Sequence, residues 1–526
     1  MKKITLGELA KAINFNLNSN SFNNIPVLHI TANSLSVVQG SIFVAIKGVK
    51  VNGEDYIADA IKKGASLCII DQNSNYNQSQ EILNKIVRVQ SITDDIANET
   101  TKTQDIYADK PTKNFLAKAL FYLNKDNIAK NILTITGTNG KTSTAFFISQ
   151  FLSLLQKPNM LIGTTGVYLN LLNKTQKLAQ TITTPGVEDL CQYFITAKQN
   201  GANFVAMESS SHGISQNRIL GINFSVAGFT NLTQDHLDYH TSMENYFQAK
   251  AKLFTSFNIK NAVINVDDIY GEKIAKLTTA QNVLDYGKNA KVCQITTINL
   301  QNNMQHITGF FKGQKFSFSI NMLGHFQVYN ILCAMLMLVS VGEDFFKLTT
   351  LASKITPAEG RLNLIKTTIN PNISAKIFID YAHTPDALEN VLKTLKSLDN
   401  KAIVRVVFGC GGERDKAKRP IMGSIAVKYA DAIYLTDDNP RGEDANLIRE
   451  DVLKGMDASM GKAIYNIGNR KTAIQKAIED LKDNDLLIVA GKGHEEYQII
   501  GNQHFAFSDK QEVLNYITSI GGKYEF

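Results

Sequence analysis

NILTITGTNGKTSTAFFISQFLSLL, residues 131–155, reads in order as a strand, a glycine-rich turn and a long helix. Glycines at 137 and 140 let the backbone turn tightly, so that its N–H groups can point at phosphate oxygens. Lys141 supplies a point charge for terminal phosphates, and the Thr142 hydroxyl can ligate Mg²⁺. The spacing departs from strict G-x4-GK, because Ile135 stands where the first glycine would be. A GKT tripeptide alone is weak evidence and is compatible with a merely structural turn. With the strand Ile132–Thr136 before it and a helix after it, Gly137, Thr138, Asn139, Gly140, Lys141, Thr142 and Ser143 read as a nucleotide-binding loop.

The same alternation extends outward from this segment. Before it, SIFVAIKG (Ser41–Gly48) is strand-like, YIADAIKKGA (Tyr56–Ala65) helix-like, SLCIID a second buried strand, and Asp71–Gln80 a polar loop. After it come strand-like runs at Asn203–Met207, Phe224–Phe229 and Ala262–Asn265. From near Arg361 the runs AKIFID, AIVRVVFG, DAIYLTD and DLLIVAG each end in a polar or glycine-rich turn followed by a helical pattern. Strands alternating with helices imply an α/β protein with mostly parallel sheets. At 526 residues, and at ~100–200 residues per domain, about three domains are expected. The blocks divide at 1–124, 125–360 and 361–526. Ligands in such sheets sit beyond the carboxyl ends of the strands, so the residues following each apolar run carry the chemistry.

Composition narrows the class. A hydrophobic fraction of 44% and a charged fraction of 20% are those of a globular protein. The formal charge of +7 is spread without a dense basic run, which speaks against nucleic-acid binding and suits anionic nucleotide ligands. Cys68, Cys191, Cys293, Cys333 and Cys410 are widely spaced and form no CxxC pair, which argues for reduced thiols and against a thiolate zinc site. The first residues, MKKITLGELAKAINFNLN, lack an apolar stretch behind the lysines, so no signal peptide is expected. The apolar run Ile331–Val341 is far shorter than the ~20 residues of a membrane span. A cytoplasmic location and no membrane partner are expected.

Three further residues stand out or fail to. Glu208 ends the strand-like NFVAMESSSHG, and His236 lies in NLTQDHLDYH. A carboxylate and an imidazole at strand ends near a phosphate loop could hold Mg²⁺. Each also has a plainer reading, Glu208 as a helix-capping carboxylate and His236 as a hydrogen-bonded scaffold residue. Lys250, in YFQAKAKLF, reads on chemistry alone as a solvated position on an amphipathic helix.

GTNGKT, TTP at Thr183–Pro185, ESSSHG at Glu208–Gly213, NLTQDHLDYH and YFQAKAKLF resemble the Mur ligase family in order and spacing. DYAHTPDAL (Asp380–Leu388), FGCGGERDKAKRPIM (Phe408–Met422), TDDNPR (Thr436–Arg441) and AGKGHE (Ala490–Glu495) look like its diaminopimelate-adding branch. The resemblance covers nearly the whole chain. It implies an N-terminal domain for a uridine nucleotide, a central P-loop ATPase-type domain with a parallel sheet, and a C-terminal Rossmann-like domain for the incoming amino acid. The implied enzyme is an ATP-dependent acid–amino-acid ligase of peptidoglycan precursor synthesis. It would add meso-2,6-diaminopimelate to UDP-N-acetylmuramoyl-L-alanyl-D-glutamate through an acyl phosphate, with ATP and Mg²⁺, as a monomer.

The resemblance also implies roles. Lys141, Glu208, His236 and Lys250 match catalytic positions, and Lys250 matches a lysine that the family carboxylates. Thr142 and Glu208 match ligands of one Mg²⁺, while His236 and the Lys250 carbamate match those of a second. His383 and Asp380 match groups facing ATP. Ala32, Ser34, Val49, Lys50 and Val51 match the uridine-nucleotide pocket, and Thr183, Thr184, Ser210, Gln216 and Arg218 the muramoyl-peptide grip. Arg414, Asp438, Asn439, Pro440, Arg441, Gly491 and Glu495 match the diaminopimelate contacts.

Diaminopimelate differs from lysine by a second carboxylate. A guanidinium fork binds a carboxylate bidentately, and lysine would leave that fork buried without a partner. Arg441 is the residue expected to supply the fork, with Glu495 suited to the distal ammonium. The plainer reading makes Asp438–Arg441 a helix-initiating turn. Asn33-Ser34-Leu35 replaces the family's Asp-Ser-Arg, Gln327 replaces an asparagine in the Gly324–Asn330 run, and Ser143 replaces a threonine. The rivals are a lysine-adding ligase, a folylpolyglutamate-synthetase-like enzyme, which should lack GCGGERD and the first domain, and an inactive nucleotide-binding scaffold.

Overall fold

The computed structural model describes residues 4–48, 51–91, 111–172, 174–301, 304–370, 373–399 and 401–525. They fall into two compact units: Met1–Leu133, Lys157–Ser225 and Lys252–Lys260 form the first, and Thr134–Gln156, Val226–Ala251 and Asn261–Phe526 the second. The boundary runs inside three strands, Asn131–Thr136, Phe224–Phe229 and Ile259–Asn265.

The first unit begins with a five-stranded sheet, ordered Phe15–Leu17, Ile86–Ser91, Leu67–Asp71, Ile42–Val44 and Ile30–Thr31. All neighbours are parallel except the first pair. Phe43, Ala45, Cys68 and Ile70 pack with Ile57 and Ala60 of the helix Ile57–Lys62 in a buried cluster. The strand expected over Ser41–Gly48 is thus confined to Ile42–Val44, because Gly53 N–H bonds to the Ile46 carbonyl and turns the chain out of the ladder. The same unit holds Phe204–Glu208 parallel to Asn159–Gly163, which continues antiparallel into Gly166–Leu171 and Lys174–Ala179.

In the second unit, Asn261–Asn265, Asn282–Gly287 and Cys293–Gln301 run parallel. Met304–Phe311 and Gln314–Ile320 then extend the sheet antiparallel. The helix Lys141–Leu154 packs on His325–Val339, whose side chains are buried nearly all round. That helix carries the apolar run from Ile331 as far as Val339 and is an interior helix.

The C-terminal part of the second unit is a seven-stranded sheet. Its order is Ala463–Asn466, Ala432–Leu435, Val404–Phe408, Leu486–Ala490, Ile373–Asp380, Asn363–Asn370 and Lys523–Glu525. The first five are parallel and the last two antiparallel. Val404, Val406 and Phe408 face the helices Pro385–Leu398, Lys418–Tyr429 and Ala445–Leu453, whereas Val407, Leu487 and Val489 face Arg470–Glu479 and Asp509–Ser519. Covering both faces explains why these strands read as continuous apolar runs. Leu388, Val391, Leu392 and Leu395 form one stripe, and each buried side chain of this kind contributes ~1.5–3 kcal/mol. The antiparallel edge strands lie outside the alternating pattern and had no expected counterpart in the sequence.

Candidate active site

The phosphate loop lies at the carboxyl end of Asn131–Thr136, and the helix behind it starts at Lys141. Gly140 takes a left-handed conformation at φ 89°, and a Cβ there would stand 2.3 Å from Asn330 Oδ1. At Gly137 a Cβ would stand 1.9 Å from Thr230 Oγ1. Both positions therefore exclude any side chain. The loop is held from behind. Thr138 N–H donates to Asn231 O (2.8 Å), Asn139 N–H to Asn231 Oδ1 (2.9 Å), and the Thr230 hydroxyl to Asn139 O (2.6 Å). No side chain caps the helix N-terminus. Lys141 Nζ arches over the loop and donates to the Gly137 and Thr138 carbonyls, each at 2.8 Å. Thr142 and Ser143 are buried in the first turn.

Lys250 lies beside the same loop. It sits on the helix Met243–Thr255 but is 1% exposed, so the reading of a solvated face is corrected. Its amine donates to Gly137 O (2.8 Å) and stands 4.6 Å from the Tyr246 ring centroid. Burial, reinforced by nearby Lys141, pushes its basicity well below the ordinary lysine range. An amine whose basicity is lowered in this way is more readily available as a nucleophile.

His236 has a left-handed backbone (φ 55°) and places Nε2 3.3 Å from Asp235 Oδ2. His383 donates its Nδ1–H to Tyr381 O (2.8 Å) and directs Nε2 to 3.7 Å from the same Asp235 oxygen. Lys418 Nζ reaches the other Asp235 oxygen at 3.3 Å. Burial alone would raise the Asp235 carboxyl, but Lys418, His236 and His383 outweigh it and hold the group well below the usual carboxylate range.

The C-terminal sheet meets the phosphate loop within this unit. Asn139 Nδ2 donates to Asp386 Oδ2 (2.8 Å), and Thr384, the N-cap of Pro385–Leu398, donates to Asn139 Oδ1 (3.3 Å). Arg361 Nη2 donates to Thr142 Oγ1 (3.1 Å) while its guanidinium lies 4.4 Å from the Tyr381 ring centroid. Asp380 accepts from Leu362 N–H and Ala382 N–H, and burial pushes its carboxyl up to about 6 against the pull of Arg361.

A second cluster occupies the ends of Ala432–Leu435 and Leu486–Ala490. Asp438, Asn439, Pro440, Arg441, Gly491 and Glu495 come together here. Helix Ala445–Leu453 starts four residues beyond Arg441 with Asp444 as its cap, so Asp438–Arg441 is not a helix-initiating turn. Arg441 is left-handed (φ 53°), and its Nη1 donates to Gly412 O (2.8 Å) and Asn439 O (3.3 Å). Among the described residues no carboxylate pairs with this guanidinium. Burial and the adjacent Arg414 lower its basicity, partly opposed by Asp438 and Glu495. Glu495 accepts from Asn439 Nδ2 (3.2 Å), and burial raises its carboxyl. Arg414 is the exposed member, its Nη1 on Glu413 O (2.8 Å).

The first unit gathers its own group around Glu208. The Glu208 carboxylate accepts from Thr164 N–H (2.8 Å) and the Thr164 hydroxyl (3.3 Å), and Ser210 rather than Glu208 caps the helix Ser211–Ser215. Thr164 in turn meets Thr183 Oγ1 (3.1 Å). Thr184 donates to Glu208 O (3.0 Å) and meets Ser210 Oγ (3.1 Å), while Arg218 donates to Thr184 O (2.9 Å) and Gln216 Oε1 (2.6 Å). Farther along the unit, Ala32 N–H donates to Glu188 Oε1 (3.1 Å), and the Ser34 carbonyl accepts from Lys63 Nζ (3.2 Å). Asn33 spends its side chain on capping Leu35 N–H, Leu35 is 83% exposed, and Val51 is also exposed. Val49 and Lys50 lie outside the described residues.

Asp235, Lys418, Asp386 and Thr384 escaped the reading of the sequence although each lies inside a motif quoted above. A neighbour in each motif offered a more familiar chemistry. Arg361, at the edge of the third block, carried no signal, and Asn231, which opens a quoted motif, acts through its backbone and amide.

Three family models match the chain: the Mur ligase family catalytic domain over residues 26–120, the Mur ligase middle domain over 135–338, and the Mur ligase glutamate ligase domain over 360–493. The UDP-N-acetylmuramoyl-L-alanyl-D-glutamate--2,6-diaminopimelate ligase of Rickettsia typhi is 35% identical over 512 residues, 96% of this chain and 96% of the relative. The like-named protein of Aquifex aeolicus is 37% identical over 487 residues, 92% of each chain. A solved structure of a ligase of that name superposes with a TM-score of 0.65 at 29% identity, covering 98% of this chain and 99% of that one. The Thermotoga maritima MurF ligase in complex with ADP shares the fold, with a TM-score of 0.58 at 16% identity over 94% of this chain and 98% of that one. With all three domains matched in order and the relatives aligned nearly end to end, the chain belongs to the Mur ligase family.

Proposed function

We propose that this chain is the ATP-dependent ligase that adds meso-2,6-diaminopimelate to UDP-N-acetylmuramoyl-L-alanyl-D-glutamate in peptidoglycan precursor synthesis. Relatives of that name, 35–38% identical over more than nine-tenths of the chain, support the assignment. The observation that carries the amino-acid choice is the Arg441 guanidinium, half-buried, paired with no carboxylate among the described residues, and in one cluster with Asn439 and Glu495. Its remaining N–H groups suit the second carboxylate of diaminopimelate, and lysine would leave them unmatched.

In this reading residues 1–124 hold the uridine nucleotide, 125–360 ATP and 361–526 the amino acid. Ala32, Ser34, Val49, Lys50 and Val51 bind the uridine end, and Thr183, Thr184, Ser210, Gln216 and Arg218 the muramoyl peptide. The loop Gly137–Ser143 and His383 bind ATP. The γ-phosphoryl group passes to the D-glutamyl carboxylate, giving an acyl phosphate and ADP. Lys141 sits over the loop to neutralise the charge that develops on the transferred group. The neutral amine of diaminopimelate then attacks the acyl carbon, and the tetrahedral intermediate expels phosphate to leave the amide. Glu495 receives the distal ammonium, while Arg414, Asp438, Asn439, Pro440, Arg441 and Gly491 line the pocket.

The donor set suits Mg²⁺. Thr142 offers a hydroxyl at the helix start, and carboxylation of Lys250 would turn a buried amine of lowered basicity into a hard oxygen ligand. That step joins the amine nitrogen to the carbon of CO₂ and releases one proton. His236 and the Lys250 carbamate would hold one ion, and Thr142 would serve a second. The ions would supply Lewis-acid neutralisation of the phosphates. No helix among the described residues is long and apolar enough to cross a membrane.

The test is phosphate release from ATP with UDP-N-acetylmuramoyl-L-alanyl-D-glutamate, comparing meso-diaminopimelate with L-lysine. Strong dependence on diaminopimelate is expected. Preference for lysine would overturn the role of Arg441, and no turnover with either would overturn the ligase.

A further inference from the structure

We propose that Lys492 and Gln498 are positioning residues for amino-acid selection: they tie the hairpin Tyr497–Ala506 to the turn Asp438–Arg441, and so set Asn439 and Arg441 for the distal end of the substrate. The proposal rests on the amino-acid pocket assigned above.

Lys492 is fully buried, and its ammonium donates to Asn439 Oδ1 (2.9 Å) and to Tyr497 O (2.8 Å). Asn439 Oδ1 also accepts from Ile499 N–H (2.9 Å). Two donors on one oxygen leave the amide a single orientation, with Nδ2 directed at Glu495 Oε2 (3.2 Å). The hairpin strand runs alongside the turn. Gln498 Nε2 donates to Asp438 O (2.6 Å), Arg441 N–H donates to Ile499 O (3.1 Å), and Gly501 N–H donates to Arg441 O (2.7 Å). Arg441 thereby forms a parallel bridge with Ile500, and its backbone is held at φ 53°. A non-glycine residue in that region is strained and persists only where its surroundings over-determine it. The hairpin supplies those constraints, and so fixes the backbone from which the guanidinium reaches Gly412 O and Asn439 O.

The outer strand, Gln503–Ala506, is exposed along its whole length, and the inner strand contributes little to the apolar core. The hairpin is therefore an appendage whose bonds converge on one turn. A device that merely stabilised the domain would instead pack on the sheet.

The experiment uses the full chain with Gln498→Leu and Lys492→Met, each checked for folding by its thermal transition. Steady-state constants are measured for ATP, for the UDP-linked dipeptide, for meso-diaminopimelate and for L-lysine. The expected result is a rise of about tenfold or more in KM for meso-diaminopimelate and a comparable fall in its preference over lysine, because the fork loses its aim. KM for ATP and for the UDP-linked substrate should stay within about twofold. Folded variants with unchanged KM and unchanged preference would overturn the proposal, as would a joint rise in all KM values, which marks general damage. Should Lys492→Met fail to fold, Gln498→Leu decides. Absence of turnover by the unaltered chain would be a failure of the ligase reading itself, and is distinguishable because it appears before any variant is made.

Discussion

The Lys250 amine lies 2.8 Å from the carbonyl oxygen of Gly137, a residue 113 positions earlier in the chain. One residue opens the phosphate loop and the other sits fully buried on a helix. The contact brings a nitrogen of lowered basicity against the backbone of that loop. Replacing Lys250 by Met keeps the length of the side chain but removes the amine. Turnover should fall by ~10²-fold or more, the scale of losing one charge-stabilising group. The thermal midpoint should hold or rise, because a buried amine with depressed basicity costs stability at neutral pH. Loss of turnover together with a falling midpoint would instead mark a structural lysine.

Asp235 joins His236, His383 and Lys418, so its removal strands a buried cation. Asp235→Asn is expected to lower unfolding stability by about 3 kcal/mol, and adding Lys418→Met should recover part of that loss. The sign with pH follows from a carboxyl held below its usual range. Its contribution is present above the ordinary carboxylate pKa of about 4 and is lost as pH falls through the lower folded value. The gap between the unaltered chain and Asp235→Asn in urea titrations should shrink as pH falls below about 4.

Gly140→Ala puts a methyl group 2.3 Å from Asn330 Oδ1 at a left-handed backbone position. A rise in KM for ATP of about tenfold or more is expected, with KM for the amino acid little changed. Pairing it with Asn330→Ala should relieve the clash but not the backbone strain, so recovery should be partial. Complete recovery would show that the conformation is not the constraint.

Arg441→Lys tests selection directly. A lysine ammonium cannot reproduce the planar fork, so preference for meso-diaminopimelate over L-lysine should fall by ~10–100-fold, chiefly through KM. An unchanged ratio would place the selecting group elsewhere, with Arg414 the next residue to replace.

The parallel strands were legible because burial on both faces writes itself as an unbroken apolar run; Val404–Phe408 and Leu486–Ala490 fall inside the runs expected for them. The antiparallel edges were not. Lys174–Ala179 and Gln503–Ala506 are largely exposed, and exposed strands carry little apolar signal. Among site residues, those with a local reason were readable: the glycines of the loop, and Lys141 and Thr142 at the start of the helix. Asp235 was not, because its importance lies in Lys418 and His383, which only long-range packing brings to it.

The sequence by itself determined the phosphate loop, since a strand, two obligatory glycines and a helix start are local steric requirements that no distant contact can supply or cancel. It also determined the α/β class, through the periodicity of apolar residues. The tertiary structure decided which polar groups lost their water. Lys250 is chemically an ordinary lysine, and Arg441 an ordinary turn residue. Burial lowers the basicity of the first, and the hairpin Tyr497–Ala506 holds the second at an unfavourable backbone angle. Desolvation and backbone constraint are properties of surroundings assembled from remote segments, so neither can be read from the residue and its sequence neighbours alone.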